Sequence, residues 1–399
     1  MGELATCEAC NSKKDFNDGN NNTPEKKGIT PSSQQFQNNN NEFQNENYNH
    51  SLNNTNDLPT DNNTTPSNNV SSLKRSNVQN TLNNNISPLE NSVSKRVDET
   101  IKNNNTLIKY PIDFKCIKNL KSNNDTIMCL IELSNGYIAT GTDNNNIYIW
   151  DINKEKPIKA INTSKKVVCL LEFMPGVLLS GNYNNEIEIW NINESKNSPE
   201  FIFKGHLLWV NCLTKCNNNF FASGSNDSDI RIWNFTEKSP FNVLTEHEDA
   251  VLSIIALRDG KLCSGSADLT IKIWDWENNK CIANLKEHSR WIKCVFQLLN
   301  GNIVSGADDK TIKIWNNYGC IKTFTGHKKS VRIICQISES LIASGSFDNT
   351  IKIWNINNNN NCIRTLEGHS SKVIGLILHS SGYLISASND KTIKIWNYK

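Results

Sequence analysis

"IVSGADDKTIKIWNNYGCIKTFTGH" runs from Ile303 to His327. A strand of small and apolar residues enters a turn rich in Asp. A second strand, "TIKIW", leaves that turn and ends on Trp315. A short strand, "CIKTF", follows, and Gly326-His327 starts the pattern again. Alternating β-branched residues bounded by Asp, Asn and Gly read as antiparallel strands joined by tight turns. Just upstream, "EHSRW", "IKCVFQL" and "LNGN" supply one more strand and one more turn. Each period therefore codes for four short strands, and one small sheet of this kind cannot bury both of its faces.

The pattern recurs. "IYIW" ends at Trp150, "IEIW" at Trp190 and "IRIW" at Trp233, and "IKIW" ends at Trp274, Trp315, Trp354 and Trp396. Successive gaps are 40, 43, 41, 41, 39 and 42 residues, so seven of the ten tryptophans lie on one period. Seven sheets that pack on their neighbours around an axis can bury what each alone would expose.

The Gly-His or Glu-His opening, the Asp six residues before the Trp and the apolar-x-apolar-Trp strand resemble the WD-repeat family, over roughly Phe114 to Lys399. That resemblance implies an all-β, seven-bladed β-propeller. The Asp that often follows the Trp in this family is present at Asp151 and Asp275. Asn replaces it at Asn191, Asn234, Asn316, Asn355 and Asn397. The last repeat stops after Trp396 with no fourth strand, whereas "CIKNL" stands alone at Cys116 to Leu120. The expectation is that residues 114–121 pair with 392–396 and close the ring, burying Ile117 and Leu120.

Five histidines open a period: His206, His247, His288, His327 and His369. Five aspartates precede the Trp in the same repeats: Asp227, Asp268, Asp309, Asp348 and Asp390. The first two repeats lack the His and carry Asn144 and Asn184 at the Asp position. Joint presence and joint absence point to a buried imidazole–carboxylate contact. The family resemblance adds a strand Ser and the Trp to that network. Here these are Ser223, Ser264, Ser305, Ser344 and Ser386 with Trp233, Trp274, Trp315, Trp354 and Trp396, and Thr140 and Ser180 hold the Ser position in the first two repeats. On this reading repeats three to seven are stiffer than the first two. A catalytic triad would use the same residue types, but five copies around a ring are explained by structure, so no catalytic residue and no cofactor is assigned.

Residues 1–108 are dominated by Asn, Ser and Thr without apolar periodicity, and they read as a disordered low-complexity tail ahead of a propeller spanning 109–399. A net charge of +2 gives no strongly basic face for nucleic acid. The N-terminus lacks a basic region followed by an apolar one, and no apolar run is long enough to span a bilayer. Thirteen cysteines without a secretory signal read as reduced thiols of a cytoplasmic protein. The cysteines at 116, 281, 320 and 362, and those at 129, 169, 212 and 294, read as small buried apolar residues. Cys7 and Cys10 form an isolated C-x-x-C without the further ligands a metal site needs. "MGELATC" carries Gly2 with Thr6, candidates for acylation together with Cys7 and Cys10, although Glu3 departs from the usual acceptor pattern. Membrane association is expected only if this segment is acylated.

With no enzyme signature, the reading is a monomeric, non-catalytic interaction scaffold within a larger complex, binding a peptide or partner domain on the narrow top face of the propeller. The start of each innermost strand and the residue before each tight-turn Asp or Asn supply the candidate contacts. These are Trp209, Asn211, Trp291, Lys293, Ser330, Arg332, Lys372, Tyr183, Asp308 and Phe347, a mix of aromatics and cations suited to binding hot spots. The plainer alternative is that Trp209 and Trp291 pack on adjacent loops. Other readings are a substrate receptor of a ubiquitin ligase and a subunit of an RNA-processing or trafficking complex. The first is disfavoured because Asn153 and Glu277 stand where the receptor signature needs a basic residue.

Overall fold

A computed structural model describes residues 114–316, 319–358 and 362–398. The Asn-rich tail and the acylation candidates Gly2, Cys7 and Cys10 lie outside the described residues. Strand β1 (Phe114–Lys121) comes first. Blade 1 holds β2 (Ile127–Glu132), β3 (Ile138–Thr142), β4 (Asn146–Trp150) and β5 (Lys159–Asn162). Blade 2 holds β6 (Val167–Met174), β7 (Val177–Asn182), β8 (Ile187–Asn191) and β9 (Phe201–Phe203). Blade 3 holds β10 (Val210–Lys215), β11 (Phe220–Ser225), β12 (Ile230–Asn234) and β13 (Ser239–Leu244). Blade 4 holds β14 (Val251–Ala256), β15 (Leu262–Ser266), β16 (Ile271–Asp275) and β17 (Lys280–Leu285). Blade 5 holds β18 (Ile292–Gln297), β19 (Ile303–Ala307), β20 (Ile312–Asn316) and β21 (Gly319–Phe324). Blade 6 holds β22 (Val331–Ser338), β23 (Leu341–Ser346), β24 (Ile351–Asn355) and β25 (Cys362–Leu366). Blade 7 holds β26 (Val373–Leu378), β27 (Leu384–Ser388), β28 (Thr392–Tyr398) and, as its outermost strand, β1.

The seven sheets form a closed ring. The innermost strands β2, β6, β10, β14, β18, β22 and β26 lie side by side in that order, and β26 packs against β2. Two sequence features set the spacing. A Cβ on Gly224 would sit 2.6 Å from Val251 Cγ1, and one on Gly306 would sit 2.7 Å from Val331 Cγ1. Only a hydrogen at these positions lets the next blade approach. Blade 7 has Ala387 at this position, and Gly375 on β26 yields the room instead: a Cβ there would lie 2.7 Å from Leu130. The residue after each tight-turn Asp or Asn adopts a left-handed conformation, from Asn145 (φ +63°) to Leu269 (φ +73°).

β1 runs antiparallel to β28, with Leu120 opposite Ile393 and Phe114 opposite Tyr398. Leu120 is buried, but Ile117 is not: it falls in the register shift between Cys116 and Lys118 and stays 47% exposed. Phe114 takes the apolar role instead, stacking on Tyr398 with centroids 5.3 Å apart. The same bulge explains the outer-strand cysteines, which are not the buried apolar residues expected. Cys116 is exposed and Cys281, Cys320 and Cys362 are half-buried. Each thiol points at the carbonyl two residues on, at 3.1–3.5 Å. Cys129, Cys169, Cys212 and Cys294, on the innermost strands, are buried.

A second set of contacts clasps neighbouring blades on the face opposite the tight turns. Glu132 accepts the Ser380 N–H across the ring closure, and Glu172 accepts the Ser134 N–H. Gln297 and Gln336 do the same for Arg258 and Leu299. His379, without an evident partner in the sequence, joins the closing clasp: its Nε2 lies 2.9 Å from the Gly136 carbonyl and its Nδ1 2.7 Å from Ser381 Oγ.

Candidate functional site

In blades 3 to 7 the His, Asp, Ser and Trp form one hydrogen-bonded chain. In blade 3, Trp233 Nε1–H donates to Ser223 Oγ at 2.8 Å. His206 Nε2 lies 2.7 Å from that oxygen and His206 Nδ1 lies 2.9 Å from Asp227 Oδ2. The His–Asp distances in blades 4 to 7 are 2.6, 2.7, 2.8 and 2.8 Å. The carboxylate can only accept, so the imidazole proton sits on Nδ1 and donates to Asp, and Nε2 accepts from the Ser hydroxyl, whose oxygen takes the Trp N–H. The carboxylate also accepts the N–H after its His, 2.8 Å from Leu207 in blade 3, and the turn N–H two residues on, 3.1 Å from Asp229. Burial works to raise the Asp227 pKa, but the His206 hydrogen bond and the backbone donors prevail and bring it to about 2. Asp268, Asp309, Asp348 and Asp390 are lowered in the same way. All five Ser residues are fully buried and each receives the Trp N–H, so none presents a hydroxyl to a substrate.

The first two blades fill the vacated slot with other chemistry. Asn123 and Thr163 stand where the His would be. In blade 1, Trp150 donates to Thr140 at 2.9 Å, while Tyr148 Oη donates to Asp125 Oδ2 at 2.8 Å. Asn144 and Asn146 also donate to Asp125, at 2.7 and 3.0 Å. Burial raises the Asp125 pKa, but these bonds outweigh it and the net shift is downward. Burial and the bond to Asp125 push Tyr148 up to about 12. In blade 2, Trp190 donates to Ser180 at 3.0 Å, and the fully buried Glu188 accepts from Ser164 at 2.7 Å and from Ser180 at 3.4 Å. Tyr148 and Glu188 replace the basic residue that Arg231, Lys272, Lys313, Lys352 and Lys394 supply elsewhere. Their departure from a Lys or Arg was the available signal.

The ten rim candidates fall into two groups. Asn211, Lys293, Ser330, Arg332 and Phe347 are buried. Arg332 Nη1 donates to the Lys293 carbonyl at 3.3 Å, and Asn211 Nδ2 donates to the Val251 carbonyl at 2.9 Å. Ser330 donates to Asp308, whose other oxygen lies 3.5 Å from Lys293 Nζ. These residues tie adjacent blades together at the mouth of the channel. Tyr183, Trp209, Trp291, Asp308 and Lys372 are partly accessible. Trp209 lies on Tyr183 of the preceding blade, with centroids 4.1 Å apart, and Trp291 packs on Ala250, Leu252 and Ala267. Cations lie over three rim rings: Lys166 over Tyr183 at 5.4 Å, Lys293 over Trp291 at 4.6 Å and Lys372 over Phe347 at 4.7 Å. Sequence reasoning missed the most exposed apolar group of this face. Leu207 is 74% exposed and Leu208 49%, both directly after His206, and Leu269 is 37% exposed in the tight turn of blade 4. Among the described residues, no cluster of His, Cys, Asp and Glu could hold a metal ion, and no helix is long and apolar enough to cross a membrane.

Seven four-stranded sheets in a closed ring, carrying a repeated Trp–Ser–His–Asp chain, define a propeller of WD repeats. A scan against protein families matches WD domain, G-beta repeat, at residues 114–151, 197–234, 238–275, 279–316, 318–355 and 360–397. These segments cover more than half of the chain, which belongs to the WD-repeat family. Each matched unit begins with the outer strand of one blade and continues into three strands of the next, so β1 opens the first unit. The stretch between the first two matches folds as most of blade 2, where Glu188 has replaced the usual network. A comparison with curated proteins finds no match. WD-repeat propellers are generally protein-interaction scaffolds, and typically non-catalytic ones.

Proposed function

We propose that this protein is a non-catalytic scaffold that holds a partner protein on the propeller face carrying the tight turns. The observation that supports this reading best is the exposed Leu207–Leu208 pair on blade 3. Leu207 and Leu208 stand beside the Trp209–Tyr183 stack, and Leu269 keeps an apolar side chain at φ +73°. A left-handed leucine costs about 1 kcal/mol relative to residues that tolerate this conformation, and blades 1, 2 and 6 use Asn there. An exposed apolar pair beside a Trp–Tyr stack matches the apolar, aromatic-rich core of protein interfaces.

Affinity capture from an extract tests the face. The L207E/L208E protein is compared with L299E, a substitution on the opposite face, where Leu299 is 51% exposed. Loss of the wild-type set of captured proteins in L207E/L208E alone is expected. An identical set for both variants, with unchanged melting, overturns the reading.

A further inference from the structure

The turn face is electrostatically divided. On blades 5 to 7 it presents Arg290, Lys310, Lys328, Lys329, Lys372 and Lys391, the first four exposed and the last two half-buried. Most acidic groups in that sector are engaged; the exposed Glu287 lies 3.9 Å from Lys313 Nζ, and Glu367, also exposed, precedes Gly368-His369. Asp309, Asp348 and Asp390 accept from their histidines with side chains only 6–9% exposed, and Asp308 is bound by Ser330 and Lys293. On blade 4 the same loop presents the exposed Glu248 and Asp249 instead. Arg332 stands behind the basic sector at the channel mouth, buried, where lower polarizability lengthens the reach of its charge.

We infer that the basic arc over blades 5 to 7 binds an extended acidic peptide, rich in Asp and Glu, of the partner that this face holds. The inference rests on the proposed function and specifies its partner. Five of the six cations are lysines spread over three blades. Point charges at separate stations suit carboxylates distributed along a strand-like segment. A single phosphoryl group is met best by donors that converge on one point, whereas these cations stand on three separate blades. Nucleic acid would need open aromatic faces for base stacking. The rings of Trp291 and Phe347 already carry the ammonium groups of Lys293 and Lys372. The acidic loop of blade 4 sets the polarity, repelling the peptide from that side and keeping it on the arc.

Fluorescence anisotropy with the full chain tests this, using a labelled peptide of about twelve residues that alternates Glu and Asp with Gly and Ser. A neutral peptide carrying one phosphoserine and a single-stranded oligonucleotide of similar length are the other arms. The acidic peptide is expected to bind most tightly, and to weaken about tenfold or more in K328E/K329E, whose side chains are solvent-facing and whose melting should be unchanged. R290E/K310E should weaken it independently, and E248K/D249K should leave it equal or tighter. Raising salt from about 50 to about 200 mM should weaken it as well. Tighter binding of the phosphopeptide or the oligonucleotide, or affinity in both reversal variants within about twofold of wild type, overturns the inference. If the acidic peptide fails to bind while L207E/L208E still loses its captured proteins, the scaffold reading stands and only the charge inference falls.

Discussion

Asp227 shows what one residue contributes. Its carboxylate takes the imidazole N–H of His206 and two backbone N–H groups, and it ionises near pH 2 in the fold. The unfolded chain would hold that proton up to about pH 4. A folded pKa below the unfolded one stabilises the protein fully above about pH 4, and the contribution vanishes as pH falls towards 2. Asp227→Asn should therefore cost on the order of 1 kcal/mol near neutral pH, since solvent screens a partly exposed carboxylate, and the gap between the two melting temperatures should close as pH is lowered from about 4 to about 2. A gap independent of pH would contradict the assignment. These partners could be paired from spacing alone, because His and Asp occur together in five repeats and are absent together from two. The replacements in blades 1 and 2 could not. Asp125 reaches that slot from the loop between β1 and β2, and Tyr148 and Glu188 from another strand position, so only three-dimensional proximity reveals the equivalence.

Among the elements, blade 2 stands apart. Ser225, Ser266, Ser346 and Ser388 each donate to a loop carbonyl at 2.9–3.2 Å, and Thr142 of blade 1 donates at 3.1 Å. Asn182 holds this position in blade 2, fully buried, and neither of its side-chain polar atoms has a hydrogen-bond partner within the protein. Leaving such groups unpaired costs about 1–3 kcal/mol. The lack of a His in both early repeats suggests that blades 1 and 2 are equally soft, but Asp125 and Tyr148 rebuild blade 1. Hydrogen exchange should thus be fastest in β7 and β8 among the inner strands, with blade 1 close to the others, and Asn182→Ser should slow it. Equal protection in β7 and in β11, β15 and β23 would count against this account. The repeat period was enough to read four strands per blade, including the outer strand displaced to residues 114–121. The exposure of Ile117 was not legible, because a β-bulge shifts the side-chain alternation by one residue and period-two patterning does not announce it.

For the whole molecule, the arrangement of both faces depends on closure between blades 7 and 1. Three features converge there: the pairing of β1 with β28, the exchange of small residues at Ala387 and Gly375, and the Glu132–His379 clasp. The ring and its number of blades were legible because seven tryptophans keep one period. The division of the turn face into basic and apolar sectors was not, since it depends on which side chains remain exposed after neighbouring blades have packed. Strand β1 buries Phe114 and Leu120 and completes the outer ladder of blade 7, contributing on the order of 5 kcal/mol. Thermal melting of a protein lacking residues 114–121, beside the full chain, tests closure most directly. A fall of about 10 °C or more, or loss of the folded monomer, is the result expected; an unchanged melting temperature with an intact monomer would contradict it.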